Sequence, residues 1–129
     1  MRIAFLPDAE TSAHWHEIKE YLEPAARVGG IKPVEPGDLV WLALDGEAIV
    51  GAFTSELEGS ALKLKCLGGR WLSEWVGMAE DAMSRFARDC GATRIEGGGR
   101  TGWGRFAARF GWKLSGKTDN GKPLWAKEL

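Results

Sequence analysis

Ala61-Leu62-Lys63-Leu64-Lys65-Cys66-Leu67-Gly68-Gly69-Arg70-Trp71-Leu72-Ser73-Glu74-Trp75-Val76 runs from a strand pattern through two glycines into a helix pattern. Residues 61–67 alternate: Leu62, Leu64 and Cys66 point one way, Lys63 and Lys65 the other. That is a half-exposed strand. Past the glycines, Leu72, Trp75, Val76, Ala79, Ala82, Met83, Phe86, Ala87 and Cys90 recur at helical spacing. Glu74, Glu80, Asp81, Ser84, Arg85 and Arg88 fill the opposite face. Gly91 terminates this helix. No Ser, Thr, Asp or Asn is placed to cap its start, so Gly68 or Gly69 is expected to serve. The first N–H groups of the helix are then free for an outside acceptor. They lie at the positive end of the helix dipole, beside Arg70, which favours an anion such as a phosphate.

Outward from this stretch, the chain alternates strands and helices. Residues 2–6 read as a strand. Thr11 or Ser12 to about Leu22 reads as a helix capped by Ser12, with Pro24 just past its end. Gly29, Gly30, Pro33, Pro36 and Gly37 make residues 28–38 a long loop of the kind that often carries binding. Residues 40–44 form a buried strand, Asp45-Gly46 a type I′ hairpin turn and residues 48–57 the return strand. Gly59-Ser60 turns again, so residues 40–67 are an antiparallel meander. Residues 93–96 are a short strand ended by Gly97-Gly98-Gly99. Thr101 caps a shorter helix with Trp103, Phe106, Ala107 and Phe110 inward, and Gly111 ends it. Residues 112–114 and 124–126 close the chain as a hairpin.

The length of 129 residues fits one domain, 1–129, and neither a repeat nor a linker interrupts it. Apolar residues at 44% and charged residues at 27% exclude a disordered tail. The net charge of −1 is uneven: −7 over residues 1–60, +1 over 61–90 and +5 over 91–129. Either an anionic ligand sits toward the C-terminal end, or the two halves neutralise each other across the fold. Cys66 and Cys90 make no CxxC pattern, and His14 and His16 are two apart, which is not a chelating spacing. With no leader-like segment and no long apolar run, the expectation is a cytoplasmic protein with reduced thiols, no metal and no membrane partner.

The element order resembles the GNAT acyltransferase superfamily over nearly the whole chain. The likeness is best in the last third, where Cys90-Gly91-Ala92-Thr93-Arg94-Ile95-Glu96 precedes a short helix ending in Gly111-Trp112. The Trp-rich, Gly-Arg-rich style is similar to GNAT-like proteins of bacteriophages. The resemblance implies an α+β fold with a mixed, mostly antiparallel central sheet flanked by helices. It implies acetyl-CoA or a related acyl-CoA as cosubstrate, held by Cys66, Leu67, Gly68, Gly69, Arg70, Trp71 and Trp103. The pantetheine arm would enter between splayed strands 61–67 and 93–96, and an amine would accept the acyl group. Two motifs depart from the family: its Arg/Gln-x-x-Gly-x-Gly/Ala loop is absent, and Ala107 stands where many members carry a tyrosine acid.

Acyl transfer needs a base at the amine and an oxyanion donor. Glu56, Glu58 and Glu96, at strand ends, are the candidate bases, Glu56 and Glu96 foremost; the fourth strand's backbone is the candidate oxyanion donor. Trp71 and Trp75 are expected to stack beside the turn, in the core or on an adenine ring. Arg94, Arg100, Arg105 and Arg109 with Trp103 form a basic, aromatic patch suited to nucleic-acid phosphates, although the pI of about 6.1 does not favour a dedicated binder. Two alternatives therefore stand beside the enzyme: a degenerate GNAT-fold binding or structural protein, and a nucleic-acid-binding or -modifying one. A homodimer is left open.

Overall fold

The computed structural model describes residues 1–98 and 103–129. In chain order its elements are β1 (Arg2–Leu6), a 3-10 turn (Ala9–Thr11), α1 (Trp15–Gly29), β2 (Leu39–Asp45), β3 (Ala48–Glu58), β4 (Ala61–Gly69), α2 (Leu72–Asp89), β5 (Arg94–Gly98), α3 (Trp103–Arg109), β6 (Lys113–Lys117) and β7 (Pro123–Glu128). The expected cap Thr101, the patch member Arg100 and Gly99 lie outside the described residues. The strands form one mixed sheet in the order β1-β2-β3-β4-β5-β7-β6. Every neighbouring pair is antiparallel except β4 with β5. Among the described residues, no helix is long and apolar enough to cross a membrane.

The sheet is covered on both faces, and β2 shows why. Val40, Leu42 and Leu44 pack in the cluster that holds Ile18, Leu22 and Ala26 of α1. Trp41 and Ala43 pack in the cluster that holds Trp75, Val76, Ala79 and Met83 of α2. A strand buried on both sides reads as a continuous apolar run. On the α2 face, Trp41 stacks on Phe53 at 5.7 Å, and Phe53 on Trp75 at 6.2 Å.

Several local expectations are corrected. Pro24 lies inside α1, which runs on to Gly29. An interior proline costs about 3 kcal/mol in a helix. Ile18, Leu22 and Ala26 bury one stripe across it, and that packing holds the helix together. The first hairpin turn is Gly46-Glu47, because Asp45 pairs with Ala48. Positive φ occurs at Gly46 (60°) and not at Glu47, the type II′ pattern rather than type I′. Helix α2 is not capped by a glycine: Gly68 and Gly69 belong to β4, and the N-cap is Trp71 at φ 54°. Glu80 and Ser84, placed on the solvent face by their spacing, are buried, and Cys90 is exposed. Glu80 accepts hydrogen bonds from Ser84 Oγ (3.0 Å), Trp112 Nε1 (3.2 Å) and Lys127 Nζ (2.9 Å), which repay its burial.

Cys66 does not share a face with Leu62 and Leu64. In the β3–β4 register Thr54 opposes Cys66 and Ser55 opposes Leu64, so Lys65 is an extra, bulged residue. One inserted residue shifts a strand's alternation by one. Cys66 thereby turns to the α1 face, while Leu67 packs with the α2 face.

Candidate functional site

The site lies where β4 and β5 separate. They pair over four rungs, from Ala61 with Arg94 to Leu64 with Gly97. The closed end is fixed by Thr93 N–H donating to the Ser60 carbonyl at 2.8 Å. Beyond Leu64 comes the Lys65 bulge, and among the described residues β4 continues paired with β3 alone.

The hydrogen-bond phase of β4 decides what faces the gap. Arg70 N–H donates to the Val50 carbonyl at 2.7 Å. In an antiparallel ladder the bonded pairs alternate. Gly68 and Cys66 are therefore turned toward β3, and Cys66 N–H also meets Thr54 Oγ1 at 3.1 Å. The amides of Leu67 and Gly69 point to the other edge, where no strand is paired among the described residues. A cavity of about 640 Å³ opens there and crosses the sheet. Ala25, Gly29 and Ile31 wall it on the α1 side, and Leu72, Trp103 and Phe106 on the α2–α3 side. The β6–β7 turn closes one flank, with Asn120 Nδ2 donating to the Gly29 carbonyl at 2.8 Å.

The two candidate bases sit differently. Glu96 lines the cavity, with its side chain 12% exposed and held by Arg94 at 2.6 Å. Glu56 is not among the cavity walls; it pairs with Lys65 at 3.3 Å. Glu58 pairs with Lys63 at 3.0 Å. Lys65 also holds Glu35 at 2.9 Å and the fully buried Asp38 carboxylate at 2.8 Å. Asp38 accepts the Glu35 N–H at 2.8 Å, so the 30–38 loop is tied to the bulge. Burial opposes the charge on Lys65, but its hydrogen bonds to Asp38 and Glu35 outweigh that and raise its pKa above the ordinary lysine value. The hydrogen bond from Lys65 holds Glu35 below the usual 4.5. A carboxylate with a lowered folded-state pKa contributes stability above its ordinary pKa and loses it as pH falls through the lowered one. This tie is thus expected to be complete at neutral pH and to fade below pH 4.5. Thermal melts of wild type and Lys65→Met across that range check it; a pH-independent gap between the two would contradict it.

The residues read from sequence as cofactor-binding are divided by the structure. Leu67 and Trp103 line the cavity. Cys66 is buried toward α1, and burial pushes its thiol pKa up, away from a reactive thiolate. Gly68 and Gly69 serve close packing. A Cβ on Gly68 would lie 2.1 Å from the Tyr21 carbonyl oxygen, and one on Gly69 would lie 2.4 Å from Gly51 Cα. Arg70 and Trp71 are exposed at the start of α2, with the guanidinium 5.2 Å from the indole ring centre. Trp71 and Trp75 do not stack together: Trp71 is 51% exposed, while Trp75 is fully buried and donates Nε1 to the Arg70 carbonyl at 2.8 Å. In the basic patch, Arg94 is engaged by Glu96, and Arg105 and Arg109 are exposed on α3. The Lys65 cluster and the Asn120 tie had no local sequence signal, because their partners are remote in the chain.

The whole chain superimposes on solved acetyltransferases. A GNAT family acetyltransferase from Elizabethkingia anophelis, with acetyl-CoA bound, gives a TM-score of 0.74 at 12% identity over 99% of both chains. An IAA acetyltransferase from Bacillus cereus gives 0.72 at 14% identity over 98% of both chains. The chain has the GNAT acetyltransferase fold. A PaiA N-acetyltransferase from Thermoplasma acidophilum in complex with coenzyme A gives 0.70 at 11% identity over 100% of both chains. No protein-family model and no curated protein matches the sequence. In this GNAT fold, Ala107 is fully buried in the α2-side core and contributes nothing to the cavity.

Proposed function

We propose that this chain binds an acyl-CoA, acetyl-CoA in the first instance, at the open β4–β5 seam and transfers the acyl group to an amine. One observation carries the reading: in a GNAT fold, the seam leaves the Leu67 and Gly69 amides without a strand partner among the described residues, with Leu67 on a cavity lined from both sides of the sheet. The pantetheine arm carries amide groups and is narrow enough to lie beside a strand edge, taking those N–H groups as a neighbouring strand would. Leu72 and Phe106 give its methylenes apolar walls. The first turn of α2 and the Arg70 guanidinium suit the pyrophosphate. The amine enters from the α1 side of the cavity. Glu96 is the carboxylate on that path and takes the amine's proton.

Isothermal calorimetry with acetyl-CoA tests the binding step, and binding is expected. No heat of binding at about 1 mM ligand would overturn the reading. An acetylation assay over a broad panel of amines tests the transfer. Binding with no product from any amine would favour instead a GNAT-fold binding protein, the reading that the buried Ala107 supports.

A further inference from the structure

Four indoles in the described residues are more than nine-tenths buried: Trp41, Trp75, Trp103 and Trp112. Three of them spend their N–H inside the protein. Trp41 donates to Ser55 Oγ at 2.9 Å, Trp75 to the Arg70 carbonyl at 2.8 Å and Trp112 to Glu80 at 3.2 Å. Trp103 Nε1 has no partner among the described residues. A buried donor left unpaired is costly, and native proteins rarely tolerate one without a use for it.

Its position supplies the use. Trp103 lines the seam cavity. A Cβ built on Gly97 would meet Trp103 Nε1 at 3.2 Å and Leu64 Cβ at 3.2 Å. Leu64 and Gly97 are the last rung before the strands part. The unpaired N–H therefore sits at the apex of the gap. Only the slender end of a ligand reaches an apex; a bulky, charged nucleotide end stays at the open mouth, near Leu72 at the start of α2.

We infer that the Trp103 N–H is the hydrogen-bond donor to the sulfur of the bound thioester. This rests on the acyl-CoA reading and deepens it. In the transfer, the amine nitrogen bonds to the thioester carbonyl carbon, the carbon–sulfur bond breaks, and its electron pair leaves on sulfur. Glu96 receives the amine's proton, and the thiolate takes a proton from solvent. Sulfur gains charge during this step, so a donor aimed at it binds the departing thiolate more strongly than the thioester. An indole N–H keeps its proton at any working pH, so Trp103 stabilises the thiolate without acting as its acid. That fits a chain with Ala107 where a tyrosine acid would stand.

Calorimetry with CoA and with desulfo-CoA, which ends in C–H where CoA has S–H, tests this on wild type and Trp103→Phe. At a pH above the pKa of the free CoA thiol, where the ligand carries a thiolate, the variant is expected to bind CoA about tenfold more weakly. Its loss on desulfo-CoA is expected to stay within about twofold, which also shows that the variant is folded. Equal losses on the two ligands would mean that Trp103 only packs, and would overturn the inference while leaving the acyl-CoA reading intact. Wild type alone gives a second measurement. Its affinity for CoA should rise with pH through the thiol range relative to desulfo-CoA, because a donor to the thiolate lowers the bound thiol's pKa. Parallel pH profiles would overturn the inference. Failure of wild type to bind either ligand would overturn the acyl-CoA reading itself, and the inference with it.

Discussion

Gly68→Ala is expected to destabilise the protein by about 3 kcal/mol, seen as a lower urea midpoint with an unchanged slope. The added methyl would stand 2.1 Å from the carbonyl oxygen of Tyr21 in α1. Both partners are backbone, so no side chain can swing aside. Relief requires α1 to lift from the sheet, which would unpack Ile18, Leu22 and Ala26 from Cys66 and Ala52. Gly77→Ala is the control. Its new methyl would lie 3.7 Å from Phe110, an ordinary contact, in the middle of α2. There alanine should be neutral or stabilising by up to about 1 kcal/mol. The pair separates two reasons for Gly68. If the glycine served mainly to let a phosphate approach the backbone, Gly68→Ala would weaken acetyl-CoA binding and leave the urea midpoint where it was.

Glu96→Gln should lower kcat by about a hundredfold with the amine that turns over best, the usual cost of losing a positioned base. The acetyl-CoA Kd should hold, because the amide keeps the hydrogen-bonding shape and lies on the amine's path rather than along the arm. Glu56→Gln should change kcat by less than about threefold, because Glu56 is committed to Lys65 outside the cavity walls. The two variants decide between carboxylates that look alike in sequence, each near the end of a strand. Full activity in Glu96→Gln would remove its role as base.

The sequence made some features legible and hid others for identifiable reasons. Helix α2 was readable from its apolar spacing alone, since one continuous stripe faces one sheet. The burial of Glu80 and Ser84 was not, because what rewards it is Trp112 and Lys127, far along the chain. Pro24 reads locally as a stop; the packing that carries the helix past it is tertiary. The Gly68-Gly69 pair shows the same limit at the candidate site. A pair of glycines before a helix is a turn by local rules, but here they answer to Tyr21, Gly51 and Val50, which only the fold brings near. Leu67, Trp103 and Glu96 do come together at one cavity. What the alternation of residues 61–67 could not reveal is the bulge at Lys65, which turns Cys66 away and sets where β4 and β5 part.

That parting has a mechanical consequence. The four strands β1–β4 and the three strands β5, β7 and β6 meet along four rungs and the Thr93–Ser60 bond, and outside the sheet Asn120 reaches across to α1 while Glu80 of α2 holds Trp112 and Lys127. Within the sheet the join is short, and the α2-side core that spans it packs Leu62 and Leu64 with Ile95, Trp103 and Trp112. A molecule lying in the gap would act as a missing strand and splint the halves. On the proposed function, cosubstrate binding and stiffening of the sheet are then a single event, and releasing the spent carrier restores the compliance that admits the next one.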